Sequence, residues 1–362
     1  MKDLKGSFNE LLKEGISVGV FPGCVLLVAK ADHILFWGAK GFSTLIPRPQ
    51  PMHRDTIFDL ASLTKPIVTT LCIMKLYEKD IIDLDSPISK YISKYRLYDK
   101  KKITIRSLLN HCSGIDSWYP FYKILGGFTL KIRKPLLRRW ILYRPLKYSP
   151  MCSFLYSDIG FILLEWIIEE VTNKTLDRLF LEYVIAPLKL KDTYIYNMKN
   201  NRDLNTIAAT EICTWRNRLI HGQTHDENAF SVGGYSGHAG LFSNAFDIFK
   251  ILNALLCSYN GKRDNLFKRD LVNEFFTRQE IILDNTWALG FDTPSSVNSS
   301  AGKFFSRYSV GHLGYTGVSF WMDLKREIII IFFTNRIHPS RNNIKIRYFR
   351  PYLHDKIMQL LL

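Results

Sequence analysis

The sequence predicts an α+β protein in which the two ends of the chain build one antiparallel five-stranded sheet. Two strand patterns precede residue 60, helical patterns dominate residues 61–284, and three closely spaced strand patterns follow. We therefore expect a sheet domain of residues 1–60 and 285–362, flanked by terminal helices, and an inserted, mainly helical domain of residues 61–284. The length of 362 residues, 47% of them hydrophobic, suffices for this plan.

Hydrophobic periodicity and turn residues place the individual elements. The expected strands cover residues 24–29, 34–39, 304–311, 315–322 and 327–334. The expected helices cover residues 1–14, the stretch after Ser62, residues 103–110 with Thr104 as cap, and residues 159–171, 246–256, 268–276 and 343–362. The first strand pair therefore precedes Ser62, and a polar and glycine-rich stretch at 311–317 lies between two late strands.

Cysteine spacing and hydropathy address compartment and cofactors. The six cysteines are scattered without paired spacing, which favours free thiols in a reducing compartment and gives no sign of a metal or other cofactor. The N-terminal residues lack an unbroken apolar leader, and no apolar run is long enough to cross a bilayer. We therefore expect a cytoplasmic protein.

Much of the net charge of +16 comes from lysines scattered over the chain. The exception is residues 131–147, where seven basic residues mix with aromatic residues and leucines without one acid. Such a segment can contact an anionic membrane surface, a nucleic acid or an acidic substrate. A solvated helix face is the more common explanation, and we favour it. We expect no nucleic-acid partner and leave peripheral membrane contact through 131–147 open.

The central motif is formed by Ser62 and Lys65, which lie three residues apart at the start of a strongly apolar helical pattern. This spacing places a hydroxyl and an amine on one helix face, one turn apart. An amine in an apolar pocket is biased toward its neutral form and can then accept the serine proton. The alternative is a surface-facing first turn that Ser62 caps. Pro66 adds a local conflict of the kind that gathers at functional sites.

Two further motifs carry chemistry. Tyr156 lies just before a helical pattern, and a buried lysine beside it would acidify its phenol for proton transfer. Its alternative is a packed aromatic residue, with Ser157 or Asp158 as helix cap. Near the C-terminus, Gly314 and Tyr315 belong to a glycine-containing stretch at a strand edge, where a backbone N–H can face an oxyanion. The alternative there is an ordinary glycine-containing hairpin.

In this order and on these segments, the motifs resemble those of the serine β-lactamase and penicillin-binding-protein superfamily. The likeness is strongest to class C β-lactamases and the related family VIII carboxylesterases, and it covers essentially the whole chain. Ser62 and Lys65 match the Ser-x-x-Lys motif of that superfamily, and Tyr156 matches Tyr-x-Asn with Asp158 in the Asn place. The third motif, Lys/His-Thr/Ser-Gly, is matched by His312 and Gly314, with Leu313 in the middle place. The resemblance implies a β-lactamase/transpeptidase-like fold with the active site between the two domains.

The resemblance also implies roles for individual residues. Ser62 would be the acylated nucleophile, Lys65 and Tyr156 would share the proton transfers, and the N–H groups of Ser62 and Tyr315 would form the oxyanion hole. Asp158 would contact the substrate. The remaining substrate-binding candidates are His312, Leu313, Gly314, His238 and Gly240.

Three departures from the family pattern favour an esterase. Leu313 lacks the hydroxyl that helps to hold a substrate carboxylate, and His312 is a weaker cation than lysine. Asp158 replaces an amide donor with a negatively charged acceptor. Each change weakens recognition of an anionic β-lactam or a peptide C-terminus and leaves the acyl-transfer residues in place.

Two other patterns near residue 235 receive little weight. His221, His225 and Asp226 could suggest a metal, but no regular helix holds their geometry, and a substrate-binding loop is the better interpretation. Ser236 lies in a near miss of a Gly-x-Ser-x-Gly nucleophile elbow, because His238 stands where the last glycine belongs.

The sequence therefore predicts a serine hydrolase that forms an acyl-enzyme on Ser62 and acts on small esters or amides, most like a carboxylesterase. The alternatives are a β-lactamase or a D-Ala-D-Ala carboxypeptidase acting on cell-wall peptides. A catalytically silent protein that binds a membrane or polyanion is the alternative from a different functional class. The predicted partner is a small-molecule ester or amide substrate.

Overall fold

A computed structural model describes residues 4–92, 98–199, 202–262, 266–280 and 282–362. The first three residues of the predicted N-terminal helix lie outside this range. The α-helices within it are α1 Leu4–Ser17, α2 Leu71–Glu78, α3 Ile105–Leu109, α4 Phe121–Leu125, α5 Leu130–Tyr143, α6 Asp158–Thr172, α7 Leu176–Phe180, α8 Glu227–Ser231, α9 Ala245–Tyr259, α10 Arg269–Phe276 and α11 Ile346–Leu361. Shorter 3₁₀ and π turns cover Ala61–Leu63, Lys65–Thr70, Ile88–Lys90, Tyr98–Lys100, Leu181–Ile185 and Leu204–Thr206.

The strands form one large antiparallel sheet and two small ones. They are β1 Gly23–Lys30, β2 His33–Thr44, β3 Gln50–Pro51, β4 Phe58–Asp59, β5 Tyr194–Ile195, β6 Ile212–Cys213, β7 Arg218–Leu219, β8 Leu241–Ser243, β9 Ser309–Leu313, β10 Ser319–Asp323 and β11 Ile328–Thr334. The large sheet has the order β3-β2-β1-β11-β10-β9, and all its pairs are antiparallel. It joins the two chain ends, as the sequence predicted.

The predicted number of five strands is one too low. Gln50 and Pro51 form a two-residue edge strand against β2, and a strand this short, with a proline, shows no alternation in the sequence. The mainly helical segment also contains short strands: β8 pairs with β4 and with β5. The division into two domains stays a prediction.

The sheet is covered on both faces. Leu26 and Val28 of β1 pack in a cluster with residues of α1 and α11, whereas Val25 and Leu27 belong to the large core shared with the helical segment. The alternation follows from the two-residue period of a strand. The strands β1, β10 and β11 are therefore buried on both faces.

The predicted strands 304–311 and 315–322 begin too early. Residues near Phe305 form turns, and the Phe305 ring packs on Trp321 at a centroid distance of 6.0 Å instead of pairing in the sheet. β10 begins at Ser319 because a turn around Gly317 (φ +110°) precedes it. The third motif therefore begins on β9 and continues into the turn that follows it.

The helix after Ser62 is less regular than its hydrophobic pattern predicts. A 3₁₀ turn at Ala61–Leu63 leads into a π-helical turn at Lys65–Thr70, and regular α-helix begins only at Leu71. Pro66, which has no N–H to donate, lies at the start of the π turn. The predicted burial is confirmed for the whole apolar pattern, whose members are all completely buried: Leu63, Ile67, Val68, Leu71, Cys72, Met74 and Leu76.

The basic stretch 131–147 forms most of α5 and meets acidic residues from elsewhere in the chain. Lys134 contacts Glu169 at 2.8 Å, and Arg138 contacts the same carboxylate. Arg144 lies 3.2 Å from Asp116. The predicted solvated helix face is therefore wrong for these three basic residues.

No helix within the described ranges is long and apolar enough to cross a membrane. The six cysteines are all free thiols, and four of them are buried.

Candidate active site

A cavity of about 340 Å³ lies where the three sequence motifs meet. Ser62 and Tyr156 form part of its wall, and the segment from His312 to Tyr315 forms another part. These segments are far apart in the sequence. The fold brings them together because β9 lies at the sheet edge beside the turn that carries Ser62.

The turn that carries Ser62 is strained and held from both sides. Ala61 has a φ of +46°, which is costly for a residue with a side chain. The buried Asp59 carboxylate accepts hydrogen bonds from the Ala61 N–H at 2.8 Å and from the His225 N–H at 2.6 Å. Asp59 therefore fixes the backbone that presents the Ser62 hydroxyl.

Lys65 lies directly behind Ser62. Its Nζ donates to Ser62 Oγ at 3.0 Å and to the His238 carbonyl at 3.3 Å, and the residue is completely buried. The Asp158 carboxylate lies 2.6 Å from Nζ. Burial disfavours the charged amine, but the Asp158 charge outweighs it and holds the pKa of Lys65 above its ordinary value. The expectation of a neutral resting amine is therefore wrong.

Asp158 and Ser157 divide the two roles that the sequence left open. Ser157 caps α6, since its Oγ accepts from the Gly160 N–H at 3.0 Å. The Asp158 carboxylate, about one-fifth exposed, faces Lys65. The side chain that replaces the family amide is thus an ion-pair partner of Lys65.

Tyr156 interacts through its phenol with the side chains of both Ser62 and Lys65, and the Lys65 Nζ lies 4.9 Å from its ring centroid. Burial raises the pKa of the Tyr156 phenol, and this effect, with the Asp158 charge, outweighs the attraction of the Lys65 ammonium. The predicted acidification of Tyr156 is therefore wrong for the resting site, where the phenol keeps its proton.

His238 supports the site from behind. Its ring Nε2 lies 3.0 Å from the Asp226 carboxylate, and the residue is 1% exposed. Burial opposes its charge, but Asp226 raises the pKa of His238 above its ordinary value. Gly240 is also enclosed, because a Cβ there would lie 2.5 Å from Tyr235 Cβ. Neither His238 nor Gly240 is among the residues that line the cavity, and their contact with substrate stays a prediction.

His312, Leu313 and Gly314 do line the cavity. His312 Nδ1 lies 2.8 Å from the Leu313 carbonyl, which identifies Nδ1 as the protonated nitrogen. Burial, with the charge of Lys65, lowers the pKa of His312 to about 3. His312 is therefore neutral. The expectation that it acts as a cation weaker than lysine is wrong.

The turn after β9 presents Tyr315 to the cavity. Arg336 donates to the Tyr315 carbonyl from Nη2 at 2.7 Å and from Nε at 3.1 Å, and His225 stacks on the Tyr315 ring at 5.5 Å. Within the described part of the chain, no hydrogen bond uses the Tyr315 N–H. The backbone is thus held by other contacts while this donor is available to a ligand.

Several cavity residues escaped the sequence analysis. The cations Arg336 and Arg350 are almost completely buried in its wall, and Arg347 lies there at the surface. Burial lowers the pKa of Arg350 to about 9, and Arg336 adds to this effect. A signal existed for Arg350, which shares the apolar stripe of α11 with Ile346 and Leu353.

His111 and Asp292 were also missed. His111 packs on Tyr156 at 4.7 Å and on Trp287 at 4.4 Å between ring centroids, and its Nδ1 accepts from the Ser157 N–H. Burial, with the charge of Lys65, keeps the pKa of His111 well below its ordinary value. Burial also raises the pKa of Asp292, on the cavity wall, to about 6. Neither lies in a recognisable sequence pattern.

Among the residues that the structure describes, two groups of side chains bring metal-ligand atoms together. Asp158, Asp226 and His238 offer atoms within 4.8 Å of one another, but the Lys65 ammonium already pairs with Asp158 there. The second group, Glu211, Cys213 and Glu227, is approached by the Arg341 guanidinium, which pairs with both carboxylates. Resident cations make both groups poor metal sites.

The histidines near residue 221 and the rival serine have other partners. His221 Nε2 lies 2.7 Å from the Ile207 carbonyl, and His225 pairs with Glu211. Ser236 is buried and donates its hydroxyl to Glu165. A metal held by these histidines and a nucleophilic Ser236 are both disfavoured.

Comparisons with known proteins agree with this geometry. A sequence model of the family described as Beta-lactamase matches residues 8–351. A protein of Salmonella gallinarum (strain 287/91 / NCTC 13346) named putative D-alanyl-D-alanine carboxypeptidase is 32% identical over 354 aligned residues, which cover 90% of this chain and 81% of the relative. A Salmonella typhi protein of the same name shows the same identity and coverage.

Solved structures share the fold. EstCE1, described as a hydrolase with promiscuous acyltransferase activity, has a TM-score of 0.74 and 21% identity, covering 96% of this chain and 98% of that chain. Simvastatin synthase (LovD) from Aspergillus terreus has a TM-score of 0.74 and 18% identity, covering 99% of each chain. Since the family match spans most of the sequence and the fold agrees, this chain belongs to the β-lactamase family of the serine β-lactamase and penicillin-binding-protein superfamily and is a serine hydrolase.

Proposed function

We propose that the protein hydrolyses small esters through an acyl-enzyme on Ser62. The observation that carries this proposal is the contact of Ser62 Oγ with the buried Lys65 Nζ at 3.0 Å, at the wall of a cavity that also includes Tyr156. A hydroxyl next to an amine and a phenol can lose its proton as it attacks a carbonyl. Acyl transfer uses all three groups.

The first step forms the bond between Ser62 Oγ and the acyl carbon. The serine proton passes to Lys65 or Tyr156, and the carbonyl oxygen becomes an oxyanion held by the N–H groups of Ser62 and Tyr315. The acyl–oxygen bond to the leaving alcohol then breaks, and the alcohol departs with a proton returned from the same pair. Water then attacks the acyl carbon and gives a proton to the same pair, the bond between the acyl carbon and Ser62 Oγ breaks, and the proton passes to Oγ as the carboxylic acid leaves.

The charge of Lys65 sets a condition on this step. Because Asp158 holds Lys65 protonated, the site must lose one proton before Lys65 can accept another. Activity should therefore rise as the pH becomes alkaline. His111 and His312, both neutral, flank Tyr156 without adding charge.

A burst assay with p-nitrophenyl acetate and p-nitrophenyl butyrate tests the proposal, with intact-mass detection of acylated protein. The wild type should show a burst and a mass gain of one acyl group, and Ser62→Ala should show neither. Hydrolysis that survives unchanged in Ser62→Ala would contradict the assignment.

A second candidate is hydrolysis of peptides that end in a free carboxylate, the activity named for the Salmonella relatives. The buried Arg350 and the exposed Arg347, on the same cavity wall as Ser62, favour it because guanidinium groups recognise carboxylates. These arginines could supply the cation that His312 does not. They also offset the missing hydroxyl at Leu313.

A matched substrate pair separates the two candidates. The leaving group is offered once with a free carboxylate and once as the uncharged carboxamide, to wild type and to Arg347→Ala. A peptidase-like enzyme should prefer the carboxylate, with a preference that falls in Arg347→Ala. An esterase should cleave both at similar rates in both proteins. The cytoplasmic location and the independence from cofactors stay predictions.

A further inference from the structure

The segment 118–147 carries large exposed apolar side chains next to exposed cations, and we call this surface the α4–α5 face. Its apolar members Ile124, Phe128, Leu130 and Ile132 are 46%, 39%, 44% and 43% exposed. Four such side chains within so short a stretch form a patch of the kind that marks an interaction surface.

The α4–α5 face also carries basic residues and no acidic ones. The sequence has no acidic residue between positions 117 and 157. Whereas Lys134, Arg138 and Arg144 pair with distant acids, Lys123, Lys131 and Arg139 are exposed and have no acidic partner among the described ion pairs. Cations thus surround the apolar patch.

The exposure belongs to a well-anchored surface. Arg133 donates to the Phe128 carbonyl at 2.8 Å and to the Ser231 carbonyl at 3.1 Å, which ties the α4–α5 connection to α8. The Phe128 ring contacts Trp140 edge-on at 6.1 Å. Leu125 of α4 and Leu137 of α5 are buried and anchor the two helices to the core. Packing therefore fixes the apolar side chains in their exposed positions.

We propose that the α4–α5 face docks on the surface of an anionic lipid bilayer. Apolar side chains flanked by lysine and arginine match a bilayer interface, where the former enter the headgroup region and the latter meet lipid phosphates. A second copy of the chain fits less well, because two acid-free faces repel each other. A nucleic acid would use the cations but would leave the aliphatic side chains in water.

Two hydrogen bonds connect the α4–α5 face to the segments that surround Lys65. The Ser117 carbonyl, next to Trp118, accepts from the Asp158 N–H at 2.9 Å. The Tyr122 N–H donates to Asn228 of α8, the helix that Asp226 caps. The face is therefore part of the framework that holds the Lys65 ion pair.

Vesicle co-sedimentation of the full chain tests the proposal, with phosphatidylglycerol/phosphatidylcholine vesicles, pure phosphatidylcholine vesicles, and low and high salt. Each cation near an anionic surface strengthens binding about five-fold, so Lys123→Gln, Lys131→Gln and Arg139→Gln together should weaken it about one hundred-fold. Changing the four apolar residues to serine should weaken it at least about ten-fold. Thermal unfolding checks that both variants fold.

Matched control variants change the same residue types elsewhere on the surface and should bind like the wild type. The charge control alters Lys30, Lys102 and Lys325, and the apolar control alters Val18, Leu181, Leu283 and Val297, all exposed. Ser62→Ala should also bind normally, which separates this result from the proposed hydrolysis.

Three results would overturn the proposal. The first is equal binding to pure phosphatidylcholine, or equal loss in the control variants. The second is tighter binding to heparin or an oligonucleotide than to the anionic vesicles, which would identify a polyanion partner. The third is a dimer in sedimentation that the apolar variant dissociates, which would assign the face to a second copy.

Discussion

Replacing Asp158 by asparagine tests the electrostatics of the site most directly. The change keeps the shape of the side chain and leaves the completely buried Lys65 ammonium without the charge that lies 2.6 Å away. Removing one partner of a buried ion pair costs about 3–5 kcal/mol of unfolding free energy. Because Asp158 is about one-fifth exposed and solvent screens it, we expect the lower end, about 3 kcal/mol.

The loss should depend on pH with a definite sign. In the wild type, Asp158 raises the pKa of Lys65, so its stabilising contribution is complete below the ordinary lysine pKa and is lost as the pH rises through the folded-state pKa. In Asp158→Asn, burial lowers the pKa of Lys65 and only Tyr156 still opposes it. The variant should therefore regain stability as the pH rises toward the ordinary lysine pKa of about 10.4, a range in which the wild-type contribution stays constant.

Urea unfolding of both proteins at several pH values measures this difference. Glu182→Gln is the matched control, since Glu182 pairs with Lys174 at 2.7 Å in an exposed position and should change stability little. A loss in Asp158→Asn no larger than in this control, or one that does not shrink with pH, would refute the reasoning.

The same variant should react faster with acylating substrates near neutral pH. A larger fraction of Lys65 would be neutral, so the acid limb of the kcat/KM profile should move to lower pH. We expect the acylation of Ser62 by β-lactams to rise for the same reason. An unchanged profile would show that proton acceptance by Lys65 does not limit acylation.

Three further substitutions test the third motif, at Leu313 and Gly314, and the buried ion pair of Lys134 with Glu165. Leu313→Thr restores the hydroxyl of the family pattern and should speed acylation by a chromogenic cephalosporin about five-fold, the effect of one hydrogen bond. Gly314→Ala places a Cβ 2.6 Å from the Leu60 carbonyl, so it should displace the turn and lower kcat/KM for p-nitrophenyl acetate at least about ten-fold. Lys134→Met leaves the buried Glu165, 2.5 Å from Lys134 Nζ, without its ion-pair partner and should cost about 3–5 kcal/mol in urea unfolding. Adding Glu165→Gln should recover much of that loss, and no recovery would show that packing, not charge, sets the cost.

Much of the fold could be predicted from local sequence patterns. Strand alternation around Val25 and Leu27 and the capping pattern at Thr104 depend on neighbours in sequence, and both elements were predicted within a few residues. The two-residue edge strand at Gln50–Pro51 has no period to detect. The start of β9 was missed because the turns around Phe305 contain the same residue types as a strand.

The basic stretch shows why the side-chain environment was harder to predict than the fold. Residues 131–147 contain no acid, so their composition suggested an unpaired charge. The acids that neutralise part of it, Glu165, Glu169 and Asp116, lie on other segments. Only packing brings them within ion-pair distance, because these partners lie 28 to 35 residues apart in the sequence, beyond the reach of a local pattern. The cations that have no acidic partner among the described ion pairs, Lys123, Lys131 and Arg139, belong to the α4–α5 face.

The same limit accounts for the errors at the proposed catalytic residues. The residue types at positions 62, 65 and 156 and their spacing were enough to indicate acyl transfer, but the charge of each group is set by residues from elsewhere. Lys65 was expected to be neutral because its own helix is apolar. Asp158, which lies 93 residues later in the sequence, keeps Lys65 charged. The aspartate that replaces the family asparagine at position 158 therefore changes which groups of the resting site carry a proton. This effect is present before any substrate binds.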